Sequence, residues 1–354
     1  LVIYVLKTSG SVGFISDPLS RAVEGVKKSA TALPTWVWLA ALTIFALAYP
    51  QFAGRYGTDV AISVLFYICL GLGLNVVVGL AGMLDLGYIA FYGVGAYTYA
   101  ILNTVYGLAF WVCLPFAAVF AMIAGCIVGY PTLRMRGDYL AIVTLGFGEI
   151  IRLILNNWMT LTNGPNGILG IDRIGWFRFV FEGGIGFETI WVKKLQFFYY
   201  FAFALVVLVI IGVNRLNFSR VGRAWESIRE DETAAELMGV NTFIYKLLAY
   251  AMGAFFAGLA GAFFAARMKF VSPESFTFLE SAMVLCMVVL GGMGSIPGII
   301  LGVIALIALP EVFREFESYR MLVFGSTMII MMLFRPSGLI PAKRVGQRSE
   351  EKEG

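Results

Sequence analysis

Glu149 and Arg152 stand three residues apart in the apolar run Gly137-Asp-Tyr-Leu-Ala-Ile-Val-Thr-Leu-Gly-Phe-Gly-Glu-Ile-Ile-Arg152. On a helix they share a face and can pair. Ionisable side chains inside a hydrophobic segment are costly and as a rule face a bundle interior or an aqueous cavity. One reading of the pair is therefore a lining or gating element. The other is an ion pair near one interface, with Arg152 reaching to water along its apolar stem. Asn75 is a second polar group of this kind. In Asn75-Val-Val-Val-Gly79-Leu-Ala-Gly82 the spacing sets Asn75, Gly79 and Gly82 on one helix face, where small residues admit close helix approach and an amide can cross-link neighbours. Thr144 and Asn156 complete the candidate lining groups, while Asp85 and Glu280 are expected at interfaces.

Other chemistries fall away. Histidine is absent, which removes imidazole bases, His metal ligands and His-containing triads. Cys69, Cys113, Cys126 and Cys286 are scattered through apolar segments with no paired spacing and read as small buried hydrophobes. No Gly-x-x-x-x-Gly-Lys-Ser/Thr loop occurs, and Gly71-Leu-Gly73 and Gly292-Met-Gly294 lack the third glycine of a dinucleotide loop, so both read as packing glycines. No catalytic residue, cofactor or metal site is expected.

A second group of residues could grip a partner. In Gly222-Arg-Ala-Trp-Glu-Ser-Ile-Arg-Glu-Asp-Glu-Thr-Ala-Ala-Glu-Leu-Met-Gly239, Ala224, Trp225, Ile228, Ala235 and Met238 recur at helical spacing as one apolar stripe. Arg223, Glu226, Arg229, Glu230, Glu232 and Glu236 fill the rest. Asp231 is a good N-cap, which suggests two short helices meeting there, and Gly239 suits the left-handed residue that ends a helix. Such a capped, charged pair either docks into another protein's groove or lies solvated on the headgroups.

The elements that must position these residues are membrane spans. Of 354 residues, 60% are hydrophobic and 14% charged, against about 45–50% and 25% in soluble domains. The net charge of +4 matters only for where it sits. Ten segments read as spans: 34–50, 59–80, 86–105, 109–130, 139–157, 197–213, 243–266, 279–294, 298–310 and 321–335. The pair 279–310 could equally be a re-entrant hairpin. Lys and Arg are concentrated in 1–33, 131–138, 214–242 and 336–354, which places both termini in the cytoplasm. The expected class is an all-α integral membrane protein. It has a cytoplasmic segment 1–33, a transmembrane domain 34–335 with an outer loop 158–196 and a cytoplasmic loop 214–242, and a tail 336–354.

These runs, with Arg136–Glu149, Gly164-Pro-Asn-Gly167, Gly222–Glu232, Phe270-Val-Ser-Pro-Glu-Ser-Phe-Thr-Phe278 and Val289-Leu-Gly-Gly-Met-Gly-Ser295, resemble in combination the LivM-type permeases of bacterial branched-chain amino-acid ABC transporters. The resemblance covers about residues 60–340. It implies a type II-like ABC permease bundle in the bacterial inner membrane. It also implies a homologous second permease, two cytoplasmic ATPase subunits and a periplasmic substrate-binding protein as partners, with no nucleic acid. Glu232-Thr-Ala-Ala-Glu-Leu-Met-Gly239 resembles the E-A-A-x-x-x-G coupling motif, with Thr233 inserted after the glutamate. Arg223, Trp225, Arg229, Asp231, Glu232, Ala235 and Gly239 become the expected ATPase-coupling residues. Asn75, Thr144, Glu149, Arg152 and Asn156 become the expected path for leucine, isoleucine or valine, with phenylalanine as a further candidate. Two alternatives stand beside this reading. A permease for urea or short-chain amides would differ in cargo, and an ion-coupled secondary transporter would survive ATP depletion.

Overall fold

The computed structural model describes residues 43, 46–135, 137–180, 186–191, 195–312, 325 and 338–340. Arg136, the segment 1–33, the tail 336–354 apart from 338–340, the span 34–50 apart from 43 and 46–50, and the span 321–335 apart from Gly325 lie outside the described residues. The chain divides into two compact units, Leu1–Gly54 and Arg55–Gly354. In the first, residues 46–52 are helical. The long helices are α1 (Gly54–Asn75), continued by a π-helical turn Val76–Leu80, α2 (Ile89–Tyr106), α3 (Phe110–Thr132) and α4 (Asp138–Asn157). After a single turn, α5 (Met159–Thr162), come α6 (Leu195–Asn217), α7 (Arg220–Glu230), α8 (Glu232–Leu237), α9 (Thr242–Met268), α10 (Phe278–Gly291) and α11 (Ile296–Val312). Among the described residues, six helical stretches are long and apolar enough to cross a membrane: 54–80, 110–132, 139–157, 195–217, 242–268 and 273–291. The protein is an all-α membrane protein by this measure. Its only described strands are four short ones in the loops, β1 (Ile168–Leu169), β2 (Gly175–Val180), β3 (Gly186–Trp191) and β4 (Phe270–Val271), where β1 pairs with β4 and β2 with β3, both antiparallel.

The expected span 86–105 is a helix, but it is not among the six apolar stretches. Its tyrosines, threonines and Asn103 lower its mean hydropathy. Ile89–Tyr92, Ala96, Tyr97, Tyr99 and Ala100 are buried in protein.

Helix α9 is the hub. Its glycines and alanines bring other helix backbones close, which is how helices associate where no hydrophobic drive separates protein from lipid. On one side Gly253 faces Gly73 of α1, and the Tyr88 hydroxyl donates to the Gly253 carbonyl at 3.2 Å. Asp59 at the start of α1 pairs with Arg267 near the end of α9 at 2.7 Å, so the two helices run antiparallel. On the other side Gly125 and Gly129 of α3 lie against Ala254 and Tyr250, and Gly258 lies against Ala117 and Ala121, again antiparallel. Gly95 of α2 abuts Gly258, and Phe256 packs on Gly212 of α6.

Helices α10 and α11 form an antiparallel hairpin. Gly291 meets Gly298 and Gly302 meets Met287, each so close that an added methyl would fall 2.5 Å from a carbonyl oxygen opposite. Gly292 and Gly294 are turn residues with φ of +114° and +87°, not the packing glycines expected from sequence. Leu339 and Ile340 donate their backbone N–H groups to the Leu290 and Gly291 carbonyls at 2.9 and 3.1 Å. They cap acceptors that the end of α10 leaves without an intrahelical partner.

Candidate functional site

The charged stretch folds as two helices meeting at Asp231. Ser219 opens α7 by accepting from the Val221 and Gly222 N–H groups at 3.1 and 3.3 Å. Asp231 leaves helical geometry (φ −155°, ψ 110°), and its Oδ1 accepts from Thr233 and Ala234 N–H at 2.8 and 3.0 Å, opening α8. Gly239 follows with φ of +87° and ends α8. The break at Asp231 resets the helical phase, so the expected apolar stripe does not continue. Ala224, Trp225, Ile228 and Ala235 are buried, while Leu237 and Met238 stand 84% and 85% exposed at the tip of α8.

Burial changes the part that two expected coupling residues can play. Trp225 has no exposed surface, and its indole N–H donates to the Tyr245 carbonyl at 2.7 Å, fastening α7 to the first turn of α9. Ala235 is buried beneath α8. Both belong to the joint that holds the helix pair, because an indole without exposed surface has no face for a partner. Glu232 also turns inward and pairs at 2.6 Å with Lys246 of α9, whose ammonium is largely shielded from water. Arg223 and Asp231 face outward. Arg229 reaches across the pair, and its guanidinium donates to the Gly79 carbonyl in the π turn that ends α1.

That π turn is a node. The expected single α-helical face through Asn75, Gly79 and Gly82 does not exist, since the helix widens at 76–80 and Gly82 has φ of +73° beyond it. Asn75 is fully buried, and its Oδ1 accepts from Gly294 N–H in the α10–α11 turn at 2.8 Å. Its Nδ2 has no partner among the described residues. Asn75 is thus engaged by the hairpin turn.

The remaining candidate path residues lie on α4, the least buried of the six span-length helices. Arg152 Nε donates to both Glu149 oxygens at 2.9 and 3.0 Å, so the expected pair forms, with 41% of the Glu149 side chain and 27% of the Arg152 side chain exposed. Asn156 follows one turn on from Arg152 and is half-buried. Thr144 is buried and already occupied. It donates to the Ala141 carbonyl at 3.0 Å and accepts from Leu86 N–H at 3.2 Å.

Thr144 belongs to a site that sequence reasoning missed. Asp85, expected at an interface, is buried, and its Oδ1 accepts from Gly87 N–H at 2.9 Å. Ser281 of α10 accepts from Ile89 N–H at 3.1 Å. Asp85, Thr144 and Ser281 come from three elements and together satisfy the N–H groups where the loop 81–88 turns into α2. Irregular backbone is tolerated among spans only where protein or an aqueous cavity satisfies it. No local spacing signals the trio, because its members are 59 and 137 positions apart in sequence order from one to the next. Replacing Asp85 by leucine takes the acceptor from the buried Gly87 N–H and is expected to cost about 1–3 kcal/mol, read as a lower melting temperature in detergent, whereas Asp85→Asn keeps an acceptor oxygen and most of the stability.

Comparison with known proteins decides the family. A model described as the permease component of branched-chain amino acid transport systems matches residues 57–332. The chain belongs to this family. The permease is 50% identical over 320 residues to the high-affinity branched-chain amino acid transport system permease protein LivM of Escherichia coli K12, covering 87% of this chain and 75% of that one. It is 25% identical over 310 residues to a probable LivM of Methanocaldococcus jannaschii, covering 78% and 86%. To LivH of E. coli K12, it is 24% identical over 285 residues, covering 77% and 91%. No solved structure matches the chain. The π turn, the α7–α8 pair, the α4 ion pair and the α10–α11 turn all fall inside the matched range.

Proposed function

We propose that this permease subunit of a branched-chain amino-acid ABC transporter is moved by partner ATPases gripping α7 and α8. In this reading it spans the bacterial inner membrane ten times with both termini in the cytoplasm, as a type II-like bundle. It assembles with a homologous second permease, two ATPase subunits and a periplasmic binding protein. ATP hydrolysis belongs to the partners. The reading rests on family membership together with one observation, the capped helix pair that ends in two exposed apolar residues. Large apolar side chains at the tip of a helix braced from behind are what a groove in a soluble partner would bury. Each contributes about 1.5–3 kcal/mol when covered. Arg223 and Asp231 are exposed on the same helix pair, and Trp225, Ala235, Glu232 and Gly239 set its position.

Glu149, Arg152 and Asn156 form the polar stripe that a zwitterionic amino acid with an aliphatic side chain meets in an otherwise apolar surface. A half-exposed ion pair facing lipid would be costly, which supports its facing the path or the second permease. Ligand-driven motion requires that each nucleotide state favour one conformation differentially, and a rigid, capped lever transmits such a difference.

The test is reconstitution of the full complex. Labelled leucine is expected to accumulate in vesicles only when ATP and the binding protein are present. Leu237→Lys with Met238→Lys should leave the chain in the membrane, lower ATPase co-purification by roughly 100-fold or more and bring uptake to background. Accumulation that ignores ATP but collapses with the proton gradient would refute the reading, and uptake of urea in preference to leucine would refute its cargo.

A further inference from the structure

We infer that Arg229 and Asn75 are positioning residues of a relay that joins the α7–α8 pair to the α10–α11 hairpin through the π turn of α1. The inference rests on the reading of α7–α8 as the motor-facing lever and says where its motion goes. Three contacts carry it. The Arg229 guanidinium donates to the Gly79 carbonyl. The Arg229 stem lies on Gly82, where an added methyl would come 2.8 Å from its Cγ and 3.3 Å from its Cα. Asn75, four residues before Gly79, accepts from Gly294 N–H at 2.8 Å. A methyl at Gly79 would overlap both the Asn75 side chain and the Gly294 backbone, so the π turn, Asn75 and the hairpin turn are in mutual contact.

The node is built from parts that can shift in steps. A π turn carries one residue more per loop than an α turn, and such turns recur at functional sites. Gly82, Gly292 and Gly294 sit at φ of +73°, +114° and +87° around it, so the backbone on both sides of Asn75 turns without side-chain hindrance. Asn75 Nδ2 is fully buried with no partner among the described residues. A buried donor left open costs free energy and is a ready bond for a second arrangement of the node. Two further links of the lever, Trp225 to the Tyr245 carbonyl and Glu232 to Lys246, end on α9. They anchor the lever to the hub, and Arg229 links it to the π turn that ends α1.

The experiment uses the full complex with both ATPases and the binding protein. In Arg229→Ala, transport is scored per ATP hydrolysed by complexes that hold both ATPases, so that occupancy by the motor is measured apart from coupling. Leucine carried per ATP should drop on the order of ten- to a hundredfold, the range of an ordinary coupling between sites, and stimulation of hydrolysis by the binding protein should vanish. Arg229→Lys keeps a donor and should recover most of the coupling. Asn75→Ala should show the same loss from the far side of the node, and it tests the relay even if Arg229→Ala does not accumulate. The double variant should be no worse than either single one, since both cut one chain of contacts. Full transport per ATP in Arg229→Ala or Asn75→Ala, or losses that multiply in the double variant, would overturn the relay. Loss of the ATPases from the Arg229→Ala complex alone would also overturn it, by making Arg229 a docking residue while the lever reading stands. A wild-type chain that never retains ATPases would defeat the lever reading itself.

Discussion

Replacing Gly258 with leucine is expected to leave almost no folded permease. Gly258 sits where α9 meets α2 and α3 together. A methyl alone would come within 2.6 Å of the Ala117 carbonyl oxygen and the Ala121 Cβ, and Gly95 presses from the other helix with backbone atoms only. Flexible side chains could yield to a larger residue, but three helix backbones held by their own hydrogen bonds cannot. Overpacking a dense interior typically costs 1–3 kcal/mol, and a leucine at a three-helix crossing should exceed about 3 kcal/mol because it parts two interfaces at once. That is a large share of the roughly 5–15 kcal/mol that separates folded from unfolded domains. The readout is the monodisperse fraction on size exclusion in detergent, together with the melting temperature. Gly146→Ala is the control. Its added methyl meets nothing within 4 Å, and alanine favours helix over glycine by about 1 kcal/mol, so that variant should be unchanged or slightly more stable.

Changing Asp231 and Glu232 together to lysine should abolish ATP-driven uptake while the chain still inserts. Asp231 accepts two N–H groups that open α8, and losing that cap costs about 1 kcal/mol. A lysine at the same helix start also opposes the helix dipole. The Glu232 change acts more strongly. Its carboxylate pairs with Lys246 on the hub helix, where the ammonium is mostly shielded, and losing a hydrogen bond to a charged group costs about 1.5–3 kcal/mol. A second ammonium at that spot adds repulsion. Helix α8 should therefore leave its seat and carry Leu237 and Met238 out of register with any partner. ATPase co-purification and labelled-leucine uptake are the measurements, with membrane extraction as the control for insertion. Exchanging the pair, Glu232→Lys with Lys246→Glu, should restore part of the binding that Glu232→Lys alone removes. Retained co-purification in the double lysine variant would show that the lever is not what the motor holds.

Local signals in the sequence were sound where a feature depends on neighbours along the chain. Asp231 as an N-cap, Gly239 as a left-handed stop and the Glu149–Arg152 pair all follow from spacings of four residues or fewer, and each is found. The apolar stretches at 59–80, 109–130, 139–157, 197–213 and 243–266 are helices with ends shifted by a few residues. Local signals misled where burial depends on the fold. Asp85 looked like a turn residue at an interface because its own neighbours are glycine and leucine. Its burial comes from Thr144 and Ser281, brought to it by other helices. Trp225 looked like part of a docking face because amphipathic periodicity tells which residues share a face and not what covers that face.

Composition and hydrophobic periodicity alone determined that this chain is a bundle of membrane helices with a polar, capped helical stretch at 222–239, since solvent preference and helix capping are set by each residue and its near neighbours. Only the tertiary structure decided that the α7–α8 pair is bolted to α9 through Trp225 and Glu232 and to the π turn of α1 through Arg229. It also decided that the Asn75 side chain bonds the hairpin turn. Those contacts join residues 14 to 219 positions apart. Hydrogen bonds and ion pairs act over a few ångströms of space, and no spacing along one chain encodes which distant segments packing will bring within that reach.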